Sequence, residues 1–306
     1  MAVLVDVLEE AHEETKQSWG FYIKQYVNFI KPHIIVTFAL VSFTGEILAK
    51  RHVNNIGIIA FIKPVLATVL LSAAAESWTN LIDRKIDSVM PRTKKRAIPM
   101  GIISLENAIM LATVLTLAGF ILASLLGTIA FTFFAFAFLD NVIIYSLLSK
   151  KMTPWSIVLG APVGGLVLWG SYVALAKPIT TLPLLLGLMV MFWVPTHIWL
   201  IATRYLDDYR KAGVPMAPVV WSKLSLSLAM VLSGSVMSTF AIVALAGIEP
   251  LSVGHLATIA IVILWSISII ILSALIPWHK HLSPMAIKLA TSYLVLILIV
   301  SICFSL

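Results

Sequence analysis

The chain has 306 residues, 60% of them hydrophobic and 11% charged, with a mean hydropathy of +1.02. Soluble domains run near 45–50% apolar and about 25% charged, so a water-soluble globule is excluded, as is a disordered chain. The 15 Gly and single Cys exclude collagen-like and disulfide-scaffold chains, and the +7 net charge is no nucleic-acid signal, because the base flanks apolar runs.

Residues 1–33 read as an interfacial segment on the cytoplasmic side. Asp6, Glu9, Glu10, Glu13 and Glu14 are the opposite of the basic start of a secretory signal. Trp19, Phe21, Tyr22, Ile23, Tyr26 and Phe29 then interleave with Lys16, Lys24 and Lys31, which suits a helix lying in the membrane surface.

From residue 34 the chain is a succession of apolar runs near the roughly 20 residues a crossing helix needs. Nine are read: 34–49, 56–79, 105–123, 128–147, 155–175, 182–203, 224–246, 254–276 and 286–305. Turn residues separate several of them: Gly127, Thr153-Pro154, Lys177-Pro178, Glu249-Pro250 and Ser283-Pro284. The expectation is an all-α polytopic membrane protein, with residues 34–306 forming one transmembrane domain. With the N-terminus placed inside, 17 of the 21 Lys and Arg fall on the inner side, which predicts N-in, C-out and an odd number of spans.

The inner loops also carry acids. After the second span the sequence runs Thr79-Asn80-Leu81-Ile82-Asp83-Arg84-Lys85-Ile86-Asp87. If the helix continues, Asn80, Asp83 and Asp87 fall within about 60° of one face. Arg84 lies among them, and Arg92, Lys94, Lys95 and Arg96 follow. Hard oxygen ligands beside clustered base suit Mg²⁺ holding a diphosphate: carboxylates take the metal, and Arg and Lys the phosphate oxygens. The loop after the sixth span adds Asp207-Asp208, then Tyr209, Arg210 and Lys211, on the same side. A solvated charge cluster is the ordinary meaning of either loop alone. Two such loops on one side favour a shared diphosphate site, where metal would neutralise a leaving group. Glu46, Glu76, Asp140 and Asn141 sit inside or at the edge of spans, where ionisable and polar groups face a cavity or a partner.

At these residues the chain resembles a known family. Asn80-x-x-Asp83-Arg84-x-Ile86-Asp87-x-x-Met90-x-Arg92-Thr93-x-x-Arg96 resembles the first signature of the UbiA-type membrane prenyltransferases, in their protohaem IX farnesyltransferase branch. His197-Ile198-Trp199-Leu200-Ile201-Ala202, then Asp207-Asp208-Tyr209-x-x-Ala212-Gly213-Val214-Pro215-Met216-x-Pro218-Val219-Val220, is similar to the second signature of that branch. Tyr145-Ser146, Lys150 and Thr153-Pro154 resemble a third segment. The likeness runs from about Lys31-Pro32 to the end of the chain.

The resemblance implies nine helices around a cavity in the cell membrane, and Mg²⁺-dependent transfer of a farnesyl group from farnesyl diphosphate to a vinyl carbon of protohaem. It implies Asn80, Asp83 and Asp87 as first-site metal ligands, Asp207 and Asp208 as the second acidic site, and Arg92, Arg96 and Lys150 on the diphosphate. Asp140 and Tyr145, five residues apart, would both line the cavity; His197 would contact the acceptor as an axial ligand, a propionate partner or a proton shuttle, the alternative being a hydrogen-bonded histidine that orients its helix. Thr79 stands where the superfamily has its first Asn, Lys85 where the branch has Asp, Ala97 where it has Pro, and Thr196 replaces the Pro before His197. A Pro-Pro pair is missing near 167–168. These departures keep open an aromatic or lipid-phosphate acceptor. A transporter is the rival of another class, but transporters put charge at the midplane and repeat their halves.

Overall fold

The computed structural model describes residues 19–53, 57–176, 178–248 and 252–305. The acidic start of the expected interfacial segment lies outside them.

The first element, α1 (Trp19–Phe29), is a short helix before the membrane domain. Lys31 then takes the left-handed conformation (φ 53°), the only non-glycine residue with positive φ among the described residues. Pro32 follows at the first helical position, where its missing N–H costs nothing. The helices α2 (Pro32–Lys50), α3 (Ile58–Val89), α4 (Leu105–Ser124) and α5 (Thr128–Leu139) come next. α5 continues as a π-helical segment, Asp140–Ser149, whose wider winding shows in the bond from Lys150 N to Tyr145 O at 2.9 Å. The short α6 (Ser156–Leu159) and α7 (Pro162–Val173) together make the fifth span. The long α8 (Thr181–Arg204) is followed by the short α9 (Leu206–Lys211) and α10 (Ala217–Val220). Then come α11 (Lys223–Ala246), α12 (Val253–Leu275), a 3₁₀ turn (Lys280–Leu282) and α13 (Ser283–Cys303).

Among the described residues nine helical spans are long and apolar enough to cross a bilayer. They match the nine expected runs, with one informative extension. The second span does not stop at residue 79 but continues to Val89, carrying Asn80, Asp83 and Asp87 on a continuous helix. It ends where Pro91 forces Met90 out of the helical region (φ −77°, ψ 123°).

Each span packs on the next, and α13 returns against α2, so the spans form a closed ring. α7 is drawn inward, touching α2, α5 and α8. Glycine allows this. A Cβ on Gly45 of α2 would stand 2.5 Å from Leu168 O, and one on Gly164 would stand 2.6 Å from a methyl of Val190 on α8. The outer surface is apolar, with Val114, Leu117, Ile121, Leu232 and Leu264 all more than half exposed, as expected of side chains that meet lipid. Inside the ring, several polar groups pair between helices: Ser42 with Ser171 at 2.7 Å, Thr196 with Ser233 at 3.0 Å, Ser266 with Tyr293 at 3.0 Å. The α2 helix runs from the Lys31 end to Arg51, whose guanidinium donates to Phe304 O at 3.2 Å. The two ends of the membrane domain therefore lie on opposite faces.

Candidate active site

The polar face of α3 organises one mouth of the ring. Asn80, Asp83 and Asp87 are all buried there, at 5%, 3% and 4% exposure. Thr79 is turned the other way, bonded to Ser146 at 3.1 Å and Asn141 at 3.3 Å. Of the two residues at the head of the motif, Asn80 is the one that faces the mouth.

The chain after α3 folds back to serve this face. Thr93 Oγ1 donates to Asp87 O at 3.1 Å, and Arg96 N donates to Thr93 O at 2.9 Å. Those bonds aim the Arg96 guanidinium at Asp87 Oδ2 (2.7 Å) and Asn80 Oδ1 (3.3 Å). Ala97 and Ile103 pack with Phe29 and Leu81, fixing the loop against α1 and α3. A cleft of roughly 190 Å³ lies between them. Its walls include Asn80, Asp87, Arg92, Lys95 and Arg96, with Gln25, Asn28 and Phe29 of α1 on the far side.

Lys150, just past the π segment, makes an ion pair with Asp83 Oδ2. Its ammonium also lies 5.5 Å from the Tyr145 ring centroid. Burial alone would lower the proton affinity of Lys150; the facing Tyr145 and Asp83, with Tyr209, more than offset it, so the amine stays charged above the ordinary lysine range. Tyr145 is itself set by close packing, since a Cβ on Gly160 would stand 2.8 Å from its side chain. Deeper in the ring, a narrow apolar cavity of about 30 Å³ is lined by Ile34, Phe38, Leu71, Phe134, Phe138 and Val167. Glu76 and Asn141 are its polar members toward the mouth.

The second acidic loop adjoins the first. Ile86 and Met90 share an apolar cluster with Tyr209, Val214 and Met216, and the Arg92 guanidinium lies over the Tyr205 ring at 4.7 Å. Asp207, however, points outward at 63% exposure, within 3.5 Å of Arg210 and 3.6 Å of Lys280. Asp208 is half-buried in the first turn of α9. Among the described residues no three acidic, His or Cys side chains converge into a preformed metal cage.

The donor set nonetheless fits a divalent cation at Asp83. Its Oδ2 is taken by Lys150, but its Oδ1 is buried with no hydrogen-bond partner. A buried bare carboxylate oxygen, one helical turn from the Asn80 amide and another from Asp87, is what a hard cation would satisfy.

Some expected positions are not brought in. Arg84 follows Asp83 directly, about 100° around the helix, and donates to Leu81 O at 2.8 Å. It does not reach the cleft. Lys94 is exposed and stays outside, whereas Lys95 lines the cleft. His197 lines neither the cleft nor the cavity. It stacks on Trp193 at 4.6 Å and 11°, with Nδ1 buried and unpartnered. The sequence reading missed Gln25 and Asn28. Their spacing of three, on an amphipathic helix entering the membrane, is the signal that marks one polar face.

Comparison with known proteins gives concordant results. The model of the UbiA prenyltransferase family matches residues 37–302. A curated relative, protoheme IX farnesyltransferase 1 of Picrophilus torridus, is 33% identical over 222 residues, covering 72% of this chain and 74% of that one. Among solved structures, the apo UbiA homologue from Aeropyrum pernix superposes with a TM-score of 0.70 at 20% identity, covering 87% of this chain and 95% of that one. The UbiA homologue from Archaeoglobus fulgidus bound to GPP and Mg²⁺ gives a TM-score of 0.62 at 12% identity, covering 89% and 99%. These structural likenesses concern the fold alone.

Proposed function

The chain belongs to the UbiA prenyltransferase family, and we propose that it transfers the farnesyl group of farnesyl diphosphate to a vinyl carbon of protohaem IX, giving haem O. The curated relative of that name, with nearly three quarters of its length covered, supports the acceptor. The observation that carries the donor site is Asp83, its Oδ1 bare and buried on the face of α3 whose Asn80 and Asp87 wall a cleft with Arg92, Lys95 and Arg96.

Asn80, Asp83 and Asp87 would hold Mg²⁺, with Asp207 and Asp208 supplying the second acidic position on the adjoining loop. A bound metal would supply positive charge to neutralise the departing diphosphate. The rest falls to the chain. Arg92, Lys95, Arg96 and Lys150 bind and orient the phosphate oxygens. Tyr145 holds the Lys150 ammonium at the boundary between polar mouth and apolar ring. The side chains of α2, α3, α5 and α7 surround the farnesyl tail and keep water from the allylic cation. The cavity as it stands has room for about one or two waters, so these helices spread as the tail enters. The vinyl group then attacks, and water adds to the new cation with loss of a proton. Proximity and exclusion of water, more than activation, accelerate this step. His197 would contact the acceptor from α8.

The same reading places the protein in the cell membrane, with α1, the cleft and both acidic loops cytoplasmic and the C-terminus outside. Incubation with farnesyl diphosphate, Mg²⁺ and protohaem, followed by chromatography of extracted haems, tests it. A haem O peak is expected. Recovery of protohaem alone, with transfer to an aromatic or lipid-phosphate acceptor, would overturn the acceptor assignment.

A further inference from the structure

Glu76 lies on the same face of α3 as Asn80, Asp83 and Asp87, at spacings that keep all four within about 60°. Each acid of that face takes a cation from a different element: Asp83 from Lys150, Asp87 from Arg96, and Glu76 from Lys31. The Lys31–Glu76 pair is 2.6 Å long, with the two side chains 14% and 8% exposed. Nothing in the transfer scheme above uses it. Such a pair is expensive to bury, and apolar residues of similar size would hold α2 to α3 as well.

Its location gives it a role. Glu76 lines the apolar cavity, and Asn80, one turn along α3, lines the polar cleft. Phe29, two residues before Lys31, accepts from Asn80 Nδ2 at 2.5 Å and also lines the cleft. The ion pair therefore stands in the partition between the two spaces. A donor with its diphosphate in the cleft and its tail in the cavity passes this point. A diphosphate carries more charge and more acceptor oxygens than one carboxylate, so it competes for the Lys31 ammonium. Four rotatable side-chain bonds let that ammonium swing by about one helical turn toward Asn80.

We propose that Glu76 is a positioning residue that sets donor affinity: it holds the Lys31 ammonium in the partition until the diphosphate draws that ammonium off. No covalent bond changes. The inference rests on the donor site assigned above. It makes the two members of one ion pair act with opposite signs. Removing the Glu76 charge releases Lys31 to the diphosphate and tightens binding; removing the Lys31 charge weakens it. A purely structural pair would weaken binding from either side.

The test is titration of the full-length protein in detergent with inorganic pyrophosphate and Mg²⁺, with melting temperatures recorded for every variant. Glu76→Gln should bind about tenfold tighter and Lys31→Gln about tenfold weaker, the effect of one charge-assisted contact. The double variant should match Lys31→Gln. If Glu76→Gln does not fold, Glu76→Asp, one methylene shorter, should tighten binding in the same direction. Equal weakening by Glu76→Gln and Lys31→Gln, or no tightening on Glu76 substitution, overturns the inference alone, provided the native chain binds and Asp83→Asn does not. A native chain that fails to bind pyrophosphate, or an Asp83→Asn variant that binds as well as the native chain, overturns the donor site and this inference with it.

Discussion

Arg96 reaches back nine residues to place one guanidinium nitrogen 2.7 Å from Asp87 Oδ2, and the same nitrogen lies 3.3 Å from Asn80 Oδ1. One side chain thus spans both ends of the acidic face of α3 and closes the cleft from the loop side. Lysine is shorter, so its ammonium stops short of the point that the terminal guanidinium nitrogen reaches between the two partners. Arg96→Lys should raise KM for farnesyl diphosphate about tenfold, the scale of one charge-assisted hydrogen bond, with a smaller change in kcat. Steady-state rates over a range of donor concentrations check this.

Asp83 is paired with Lys150 and also carries the bare oxygen of the site. Asp83→Asn should cut turnover by at least about 10²-fold, the scale expected when a fixed electrostatic contact is lost. It also strands the Lys150 charge, which lowers the melting temperature. Adding Lys150→Gln should restore much of the melting temperature and none of the turnover. Recovery of activity in the double variant would remove Asp83 from the site.

The acids of α3 are neutralised by bases of the chain itself. Chelation of divalent metal should therefore stop transfer while leaving the protein folded. We expect haem O formation to fall to background in EDTA and to return on adding Mg²⁺, with a melting temperature that moves little in the absence of substrate. A large fall in melting temperature on chelation would mean that the metal holds the helices together.

His197 stacks flat on Trp193, whose indole N–H is fixed to Ala290 O at 2.7 Å. Phenylalanine preserves that stack and removes the ring nitrogens. His197→Phe should keep the fold and lower protohaem affinity about tenfold, as loss of one buried polar contact does. The absorption spectrum of bound protohaem reads this directly, and unchanged affinity and turnover would exclude the histidine from the acceptor site.

Gly45 lets α2 meet α7 so closely that a Cβ would lie 2.5 Å from Leu168 O. That oxygen belongs to backbone and cannot turn aside. Gly45→Ala should cost about 1–3 kcal/mol, the usual penalty of overpacking, and is measured by thermal unfolding in detergent. Donor binding should suffer as well, because α2 and α7 both wall the apolar cavity.

How much of this was legible beforehand depends on the range of each interaction. Apolar run length fixes the number of spans, because hydrocarbon thickness sets helix length whatever the neighbours are. Helical period alone puts Asn80, Asp83 and Asp87 on one face, and Lys and Arg asymmetry predicts that both acidic loops share a side. Those are local properties, and α3 and the adjoining loops have them in the structure. Pairing is not local. Arg84 and Lys94 look as suitable for a phosphate as Arg92 and Arg96. Only the fold of the loop after α3 separates them, turning Arg96 and Lys95 to the cleft and leaving Arg84 on its own helix. The partition between cleft and cavity is likewise tertiary, made by Lys31 meeting Glu76 across 45 residues. Sequence by itself determined that this is a nine-span membrane protein with acids and bases gathered at one mouth. Tertiary packing decided which base neutralises which acid, because a buried charge must find a partner within hydrogen-bonding distance, and sequence spacing alone does not measure that distance.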